Sequence, residues 1–303
     1  MEAEKIWMDG ELVNWNDAKV HVLTHALHYG SGVFEGIRAY KTEQGTAVFR
    51  LKDHVDRLFG SAKILRLDIP YSREKITKAI KETIKVNQLD SCYIRPLVYR
   101  GFNKLGLNPF SCPVQVMIAA WEWGSYLGEE ALAKGIKAMI SSWQRSHINS
   151  TSTKAKICGN YINSIFANME AIESGAEEAI LLDNNGYVAE GPGENIFWVK
   201  DGIVYTPPLT TVLGGITRKT VVTIARDMGY EIREEFVARD VLYIADEAFF
   251  VGSAAELTPI REIDCYTIGS GVRGPISKQI QEKLFNIFKG KEKKYIDWLD
   301  FVT

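Results

Sequence analysis

Apolar residues recur at helical spacing along two neighbouring stretches. Leu51, Val55, Leu58, Ala62 and Leu65 fall on one face of a helix, and Ile76, Ile80 and Ile84 repeat the pattern in the next segment. The two stripes predict amphipathic helices packed on a sheet. Tyr93 to Tyr99, Val114 to Trp121 and Ile136 to Trp143 are rich in β-branched and aromatic residues and read as strands. Asp9-Gly10, Asn185-Gly186 and Asp201-Gly202 each stand between short apolar runs. Such dipeptides accept the positive φ of a tight hairpin turn, so three hairpins are expected, in sheets that are largely antiparallel or mixed. Further helices are expected over about Tyr161 to Glu173, Thr217 to Met228 and Pro275 to Phe288. The class is α+β.

From Glu122 to Gly135, glycine, glutamate and aromatic residues mix without a period, which makes 122–135 the candidate interdomain loop. It separates a smaller N-terminal domain, 1–121, from a larger C-terminal domain, 136–303. A chain of 303 residues with 46% hydrophobic content is long enough for two cores. A formal charge of -2, with both signs interspersed, offers no basic stripe for nucleic acid and no polybasic membrane anchor. Small molecules and further copies of the chain are the expected partners. The segment Met1-Glu2-Ala3-Glu4-Lys5 is charged, and no apolar run of about 18 residues follows, so a cytoplasmic location is expected. Cys92, Cys112, Cys158 and Cys265 lie far apart, outside CxxC or Cys/His ligand spacing, which supports neither a disulfide framework nor a metal site.

Three stretches carry candidate chemistry. Lys154 and Lys156 precede the helix bearing Ile162, Ile165, Phe166, Met169 and Ile172. In an extended segment they would share a face, and each ammonium would lower the pKa of the other. A lysine so depressed is a nucleophile toward an aldehyde, although most lysines are simply solvated. In Glu190-Gly191-Pro192-Gly193-Glu194-Asn195, two glutamates flank a bent segment. A buried carboxylate there would suit a protonated pyridine nitrogen, whereas an ordinary tight turn would leave both acids solvated. Leu213-Gly214-Gly215-Ile216-Thr217-Arg218 opens a helix with free N–H groups and a hydroxyl, the makings of a phosphate cradle. Its spacing is neither GxGxxG nor a Walker A loop, so no nucleotide fold is indicated.

In chain order these stretches resemble the class IV, or fold type IV, pyridoxal-phosphate aminotransferases, and most closely the branched-chain amino acid aminotransferases. The resemblance covers nearly the whole chain. It starts at His25-Ala26-Leu27-His28-Tyr29-Gly30 and Val33-Phe34-Glu35-Gly36-Ile37-Arg38, and continues through His54-Val55-Asp56-Arg57-Leu58 and Tyr93-Ile94-Arg95-Pro96. After the lysine segment, Glu190 to Asn195 and Gly215 to Arg218, it ends at Gly252-Ser253-Ala254-Ala255-Glu256-Leu257-Thr258-Pro259. The resemblance implies a two-domain fold type IV architecture and pyridoxal 5'-phosphate as cofactor. It further implies ping-pong exchange of an amino group between L-leucine, L-isoleucine or L-valine and 2-oxoglutarate.

Residue by residue, the resemblance makes Lys156, and not Lys154, the lysine that carries the cofactor and moves the proton. Glu190 becomes the partner of the pyridine nitrogen, Glu194 a carboxylate behind it, and Tyr161 the neighbour of the phenolic oxygen. Arg57, Ile216, Thr217 and Ser253 fall to the phosphate, with Leu213 against the ring. Tyr93, Arg95 and the Ser253-Ala254 turn fall to substrate carboxylates. Phe34, Trp123, Tyr126 and Tyr161 form the apolar pocket, with Tyr29 and Leu107 entering from a second subunit, which implies a homodimer or a larger homo-oligomer such as a hexamer.

Cys158 stands where the family commonly has glycine, Gly214 where it has proline and Ser253 where it has threonine; Cys158, two residues from Lys156, would make the protein sensitive to oxidants. The rival readings on the same fold are a D-amino acid aminotransferase and an aminodeoxychorismate lyase. The stretch Arg100 to Phe110 lacks the Arg-x-His pair of the former, while Tyr93-Ile94-Arg95 is present. A catalytically silent binding protein is the rival from another class, and the retained lysine, glutamate and arginine weigh against it.

Overall fold

The computed structural model describes residues 3–124 and 127–302, so Tyr126 lies outside the described residues. The chain gathers into two compact units. One holds the residues up to Trp123 together with Ala155–Asn160 and those from Asn286 onward; the other holds Gly124–Lys154 and Tyr161–Phe285.

In the first unit, β1 (Lys5–Met8) and β2 (Glu11–Asn14) form a hairpin closed by Asp9 at φ 48° and Gly10 at φ 106°. The short helix α1 (His25–Tyr29) leads into β3 (Gly32–Phe34), β4 (Ile37–Thr42) and β5 (Gly45–Phe49). Then come α2 (Leu51–Ile64), α3 (Arg73–Val86), β6 (Cys92–Arg100) and β7 (Val114–Trp121). Among the described residues these strands make an eight-stranded antiparallel sheet in the order Leu299–Phe301, β5, β4, β6, β7, β1, β2, with β3 beside β6. The predicted stripes are the core: Leu51, Val55, Leu58 and Ala62 of α2 and Ile76, Ile80 and Ile84 of α3 bury against Ile94, Val98, Val116 and Ile118 of the sheet. Each of these leucine, valine and isoleucine side chains contributes about 2 kcal/mol on burial. Ser72 starts α3 by accepting the Lys75 amide at 3.2 Å.

The second unit contains α4 (Glu129–Lys134), β8 (Ile136–Gln144), α5 (Tyr161–Glu173), β9 (Glu178–Leu182), β10 (Val188–Glu190), β11 (Asn195–Lys200) and β12 (Ile203–Thr206). It continues with α6 (Ile216–Asp227), β13 (Ile232–Glu234), α7 (Asp240–Tyr243), β14 (Glu247–Gly252), β15 (Glu256–Ile263), β16 (Tyr266–Thr267) and the start of α8 (Pro275–Phe288). The sheet is mixed, with β8 parallel to both β9 and β15, and β12 parallel to β13. Strand β10 pairs with β9 on one side and with β11 on the other, so β10, β9, β8, β15, β14 and β11 close into a ring. Closure removes the unpaired edges that an open sheet leaves. The pair that completes it is Glu190 with Asn195.

The hairpins at Asn185-Gly186 and Asp201-Gly202 stand where the turn residues placed them, joining β9 to β10 and β11 to β12. The stretch expected to be plain loop carries α4, which is bounded by Gly128 at φ 89° and Gly135 at φ 81°. Six helical residues are too few to repeat an apolar stripe, and the flanking glycines read as loop. On α5, Ile162, Ile165, Phe166, Met169 and Ile172 are all exposed in the single chain. None of the described helices is long and apolar enough to cross a membrane.

Candidate active site

Three elements of the first unit converge on Lys156. Its amide donates to Ser61 Oγ at 3.1 Å and its carbonyl accepts from the Phe34 amide at 3.1 Å, so α2 and the end of β3 grip its backbone. The amine Nζ lies 4.9 Å from the centre of the Phe34 ring. The guanidinium of Arg95 lies 4.6 Å from the same ring and donates to the Tyr93 hydroxyl at 3.0 Å, as expected of alternate residues on one strand face. Arg95 Nε is buried without a hydrogen-bond partner within the chain. Such a donor costs about 1–3 kcal/mol to leave unmade, so it suits an acceptor brought by a ligand. Trp123 meets Tyr93 edge-on at 4.5 Å. Gly36 makes room for this cluster, since a Cβ there would stand 2.1 Å from the Tyr93 hydroxyl oxygen. Tyr29 and Leu107 are exposed in the single chain, Leu107 at 88%.

Helix α2 also supplies Arg57, one turn before Ser61. Arg57 Nε and Nη2 donate to Glu35 Oε1 at 2.6 Å and Oε2 at 2.8 Å, and His54 Nδ1 lies 2.7 Å from that second oxygen. Glu35 is fully buried. Burial pushes its carboxyl upward, but the charge and hydrogen bonds of Arg57, joined by His54, outweigh that and hold it at about 2. Burial lowers the His54 pKa, which leaves a neutral ring donating Nδ1–H to an ionised carboxylate.

In the second unit the centre is Glu190, with Glu194 buried beside it in the chain. Glu190 Oε1 stands 3.0 Å from Arg145 Nε in an ion pair that lacks hydrogen-bond geometry, and Oε2 accepts from the Leu213 amide at 3.2 Å and from Asn195 Nδ2 at 3.3 Å. Arg145 is itself tied to the carbonyls of Gly191 and Pro192 at 2.6 and 3.1 Å and to Ser164 Oγ at 2.9 Å. The Gly-Pro-Gly turn is thus pinned by the cation that faces its first glutamate. Helix α6 begins at Gly215 with no side-chain cap and no acidic residue in its first turn, and Ile216 and Thr217 are buried. A side chain at Gly215 would collide with Asn195 Oδ1, 2.0 Å from the Cβ position. Ser253 and Ala254 lie in the turn between β14 and β15, and Tyr161 opens α5.

The donor set fits pyridoxal 5'-phosphate. An uncapped helix start without acidic residues suits a phosphate, a buried carboxylate suits a pyridinium, and an amine on a gripped backbone suits an aldehyde.

One condition drawn from the sequence is not met. The backbone bends over residues 153–155 instead of running extended, so the condition for Lys154 and Lys156 to share a face is not met. Lys154 does have a lowered pKa, but burial is the first cause, and its Nζ donates to the Val212 carbonyl at 3.0 Å. Cys158 is partly buried, and burial pushes its thiol up to about 11 against the lowering influence of Arg95 and Lys156, which weighs against oxidant sensitivity there. The sequence reading also missed Arg145, and it gave no role to Glu35, His54, Ser61 or Asn195.

Residues 32–263 match the family model for amino-transferase class IV. A branched-chain-amino-acid aminotransferase of Pseudomonas aeruginosa is 54% identical over 297 residues, covering 98% of this chain and 97% of that one. The chain belongs to the class IV aminotransferases, among the branched-chain-amino-acid aminotransferases. The fold agrees. The crystal structure of the Escherichia coli branched-chain amino acid aminotransferase superposes with a TM-score of 0.98 at 47% identity, covering 100% of both chains. A Thermoproteus uzoniensis branched-chain aminotransferase with norvaline gives 0.95 at 46% identity, covering 99% of this chain and 100% of that one. A third branched-chain amino acid aminotransferase, crystallised as a complex with N-(5'-phosphopyridoxyl)-L-glutamate, gives 0.96 at 48% identity over 100% of both chains.

Proposed function

We propose that this chain exchanges an amino group reversibly between L-leucine, L-isoleucine or L-valine and 2-oxoglutarate, with pyridoxal 5'-phosphate carried on Lys156. The observation that carries the reading is the pairing of Lys156 and Arg95 on one aromatic ring, an amine at 4.9 Å and a guanidinium at 4.6 Å from the Phe34 centre. An amino acid needs both, one group for its amino nitrogen and one for its carboxylate. The phosphopyridoxyl-glutamate bound by the third relative supports the cofactor and the glutamate half of the exchange.

When bound, the cofactor supplies an electron-withdrawing ring that accepts the amino group. Lys156 would move the proton at the substrate Cα as general base and acid. Glu190, held by Arg145 and Asn195, would keep the ring nitrogen protonated, with Glu194 behind it and Tyr161 near the phenolic oxygen. Arg57, Ile216, Thr217 and Ser253 would hold the phosphate, with Leu213 against the ring. Tyr93, Arg95 and the Ser253-Ala254 turn would bind carboxylates, and Phe34, Trp123, Tyr126 and Tyr161 would wall the side-chain pocket.

We place the protein in the cytoplasm as a homodimer or a larger homo-oligomer such as a hexamer, with Tyr29 and Leu107 serving a neighbouring copy. The exposed apolar side chains support the assembly of copies: Val22 at 74%, Leu27 at 63%, Leu107 at 88% and Phe110 at 61% in one unit, and the apolar stripe of α5 in the other. Exchange of lysines tests the catalytic assignment. Lys156→Ala should abolish transamination of L-leucine with 2-oxoglutarate, whereas Lys154→Ala should retain most of it. Equal loss in both would assign the wrong lysine.

A further inference from the structure

Arg57 faces a carboxylate before any phosphate arrives. Its Nε/Nη2 edge is clamped by Glu35 at 2.6 and 2.8 Å, and the second Glu35 oxygen is also met by His54 at 2.7 Å. The three residues come from two elements, with His54 and Arg57 one turn apart on α2 and Glu35 directly after β3. Glu35 and His54 are buried at 0% and 1% exposure, so this is a built interior cluster and not a surface ion pair. The Glu35 backbone is fixed too, its amide donating to the Pro96 carbonyl at 2.9 Å.

The charges make the cluster informative. Arg57 and Glu35 sum to zero, and a neutral His54 adds nothing. As a source of positive potential for a phosphate, the pair is spent. As a fork already fixed in one orientation, it is not, because a free arginine loses rotamer entropy on being ordered. We infer that Glu35 and His54 are positioning residues for the cofactor phosphate: they fix the Arg57 guanidinium in its binding orientation before the ligand arrives. The inference rests on the reading of Arg57 as a phosphate ligand.

Orientation and charge make opposite predictions for Glu35→Gln. That change raises the net charge beside the phosphate by one, so if Arg57 worked by charge alone the phosphate would bind more tightly. If Glu35 works by orientation, affinity falls. A glutamine oxygen accepts from one arginine N–H while its amide group opposes the other.

The experiment titrates the full-length protein, stripped of cofactor, with pyridoxamine 5'-phosphate, which has no aldehyde to bond to Lys156. Pyridoxamine, which lacks the phosphate, serves as the control. Glu35→Gln should weaken pyridoxamine 5'-phosphate by about tenfold or more and leave pyridoxamine unchanged. Arg57→Ala should do the same, and His54→Gln, which keeps a donor toward Glu35, should cost only a few-fold. Tighter or unchanged binding in Glu35→Gln alongside a clear loss in Arg57→Ala overturns the inference and leaves the phosphate reading standing. No loss in Arg57→Ala overturns that reading and the inference with it. Equal losses for the two ligands in Glu35→Gln reduce Glu35 to a structural residue. Should Glu35→Gln not fold, Glu35→Asp decides the matter by the same ratio, since it keeps the charge but withdraws the carboxylate by one methylene.

Discussion

The two units solve one problem with opposite signs. In the first, a cation is held by a buried anion, Arg57 by Glu35, with His54 supporting the carboxylate. In the second, an anion is held by a largely buried cation, Glu190 by Arg145, with Asn195 and the Leu213 amide supporting it. In each case the group assigned to the cofactor has its counter-charge within the same unit. A charge kept in a low-dielectric interior needs such a partner, and the partner also fixes its direction. The clusters differ in what they anchor. The Arg145 cluster also ties down a turn through the carbonyls of Gly191 and Pro192, whereas the Glu35 cluster joins two elements that are already packed.

That difference sets an order of effects. Arg145→Leu should be the most damaging change to either backing group, because it leaves Glu190 buried without its cation and frees two turn carbonyls. A loss of roughly 3–5 kcal/mol in urea unfolding is expected, with turnover falling alongside it. A loss under about 1 kcal/mol would mean that the turn stands without its clamp. A smaller effect should appear on acidification in the first unit. Glu35 has a folded pKa of about 2, below its ordinary value of 4.5, so its contribution is complete above that ordinary value and is lost as pH falls through the folded one. His54 is also depressed below 6.5 by burial, so the unfolded chain takes up its proton first and stability begins to fall there. Across the window from pH 4.5 to 2, Glu35→Gln should flatten the slope of stability against pH, by about 3 kcal/mol in total. Parallel slopes in wild type and variant would place the acid sensitivity elsewhere.

Much of this was legible in the sequence, and the reasons divide cleanly. Asp9-Gly10 and Asp201-Gly202 announce hairpins because the turn demands positive φ, and these four residues have it. The stripes of α2 and α3 announce a core because periodicity is a local property of the chain. The apolar stripe of α5 is equally periodic and yet exposed, since periodicity tells which residues share a face and not what covers it. Lys156 could not be told from Lys154 by residue type, and a resemblance over the whole chain had to choose between them. Glu35 and Arg57 stand 22 positions apart, and Arg145 and Glu190 stand 45 apart. Only the topology brings each pair together, through β3 against α2 in one unit and the closing strands of the ring in the other. Backing charges of this kind leave no pattern in the sequence.

The absorption spectrum of the purified, cofactor-loaded protein, recorded before and after L-leucine and separately D-alanine, tests the proposed activity most directly. L-leucine should convert the visible band of bound pyridoxal 5'-phosphate to the near-UV band of pyridoxamine 5'-phosphate, and D-alanine should leave the spectrum unchanged. A response to D-alanine without one to L-leucine, or no cofactor band at all, would contradict it.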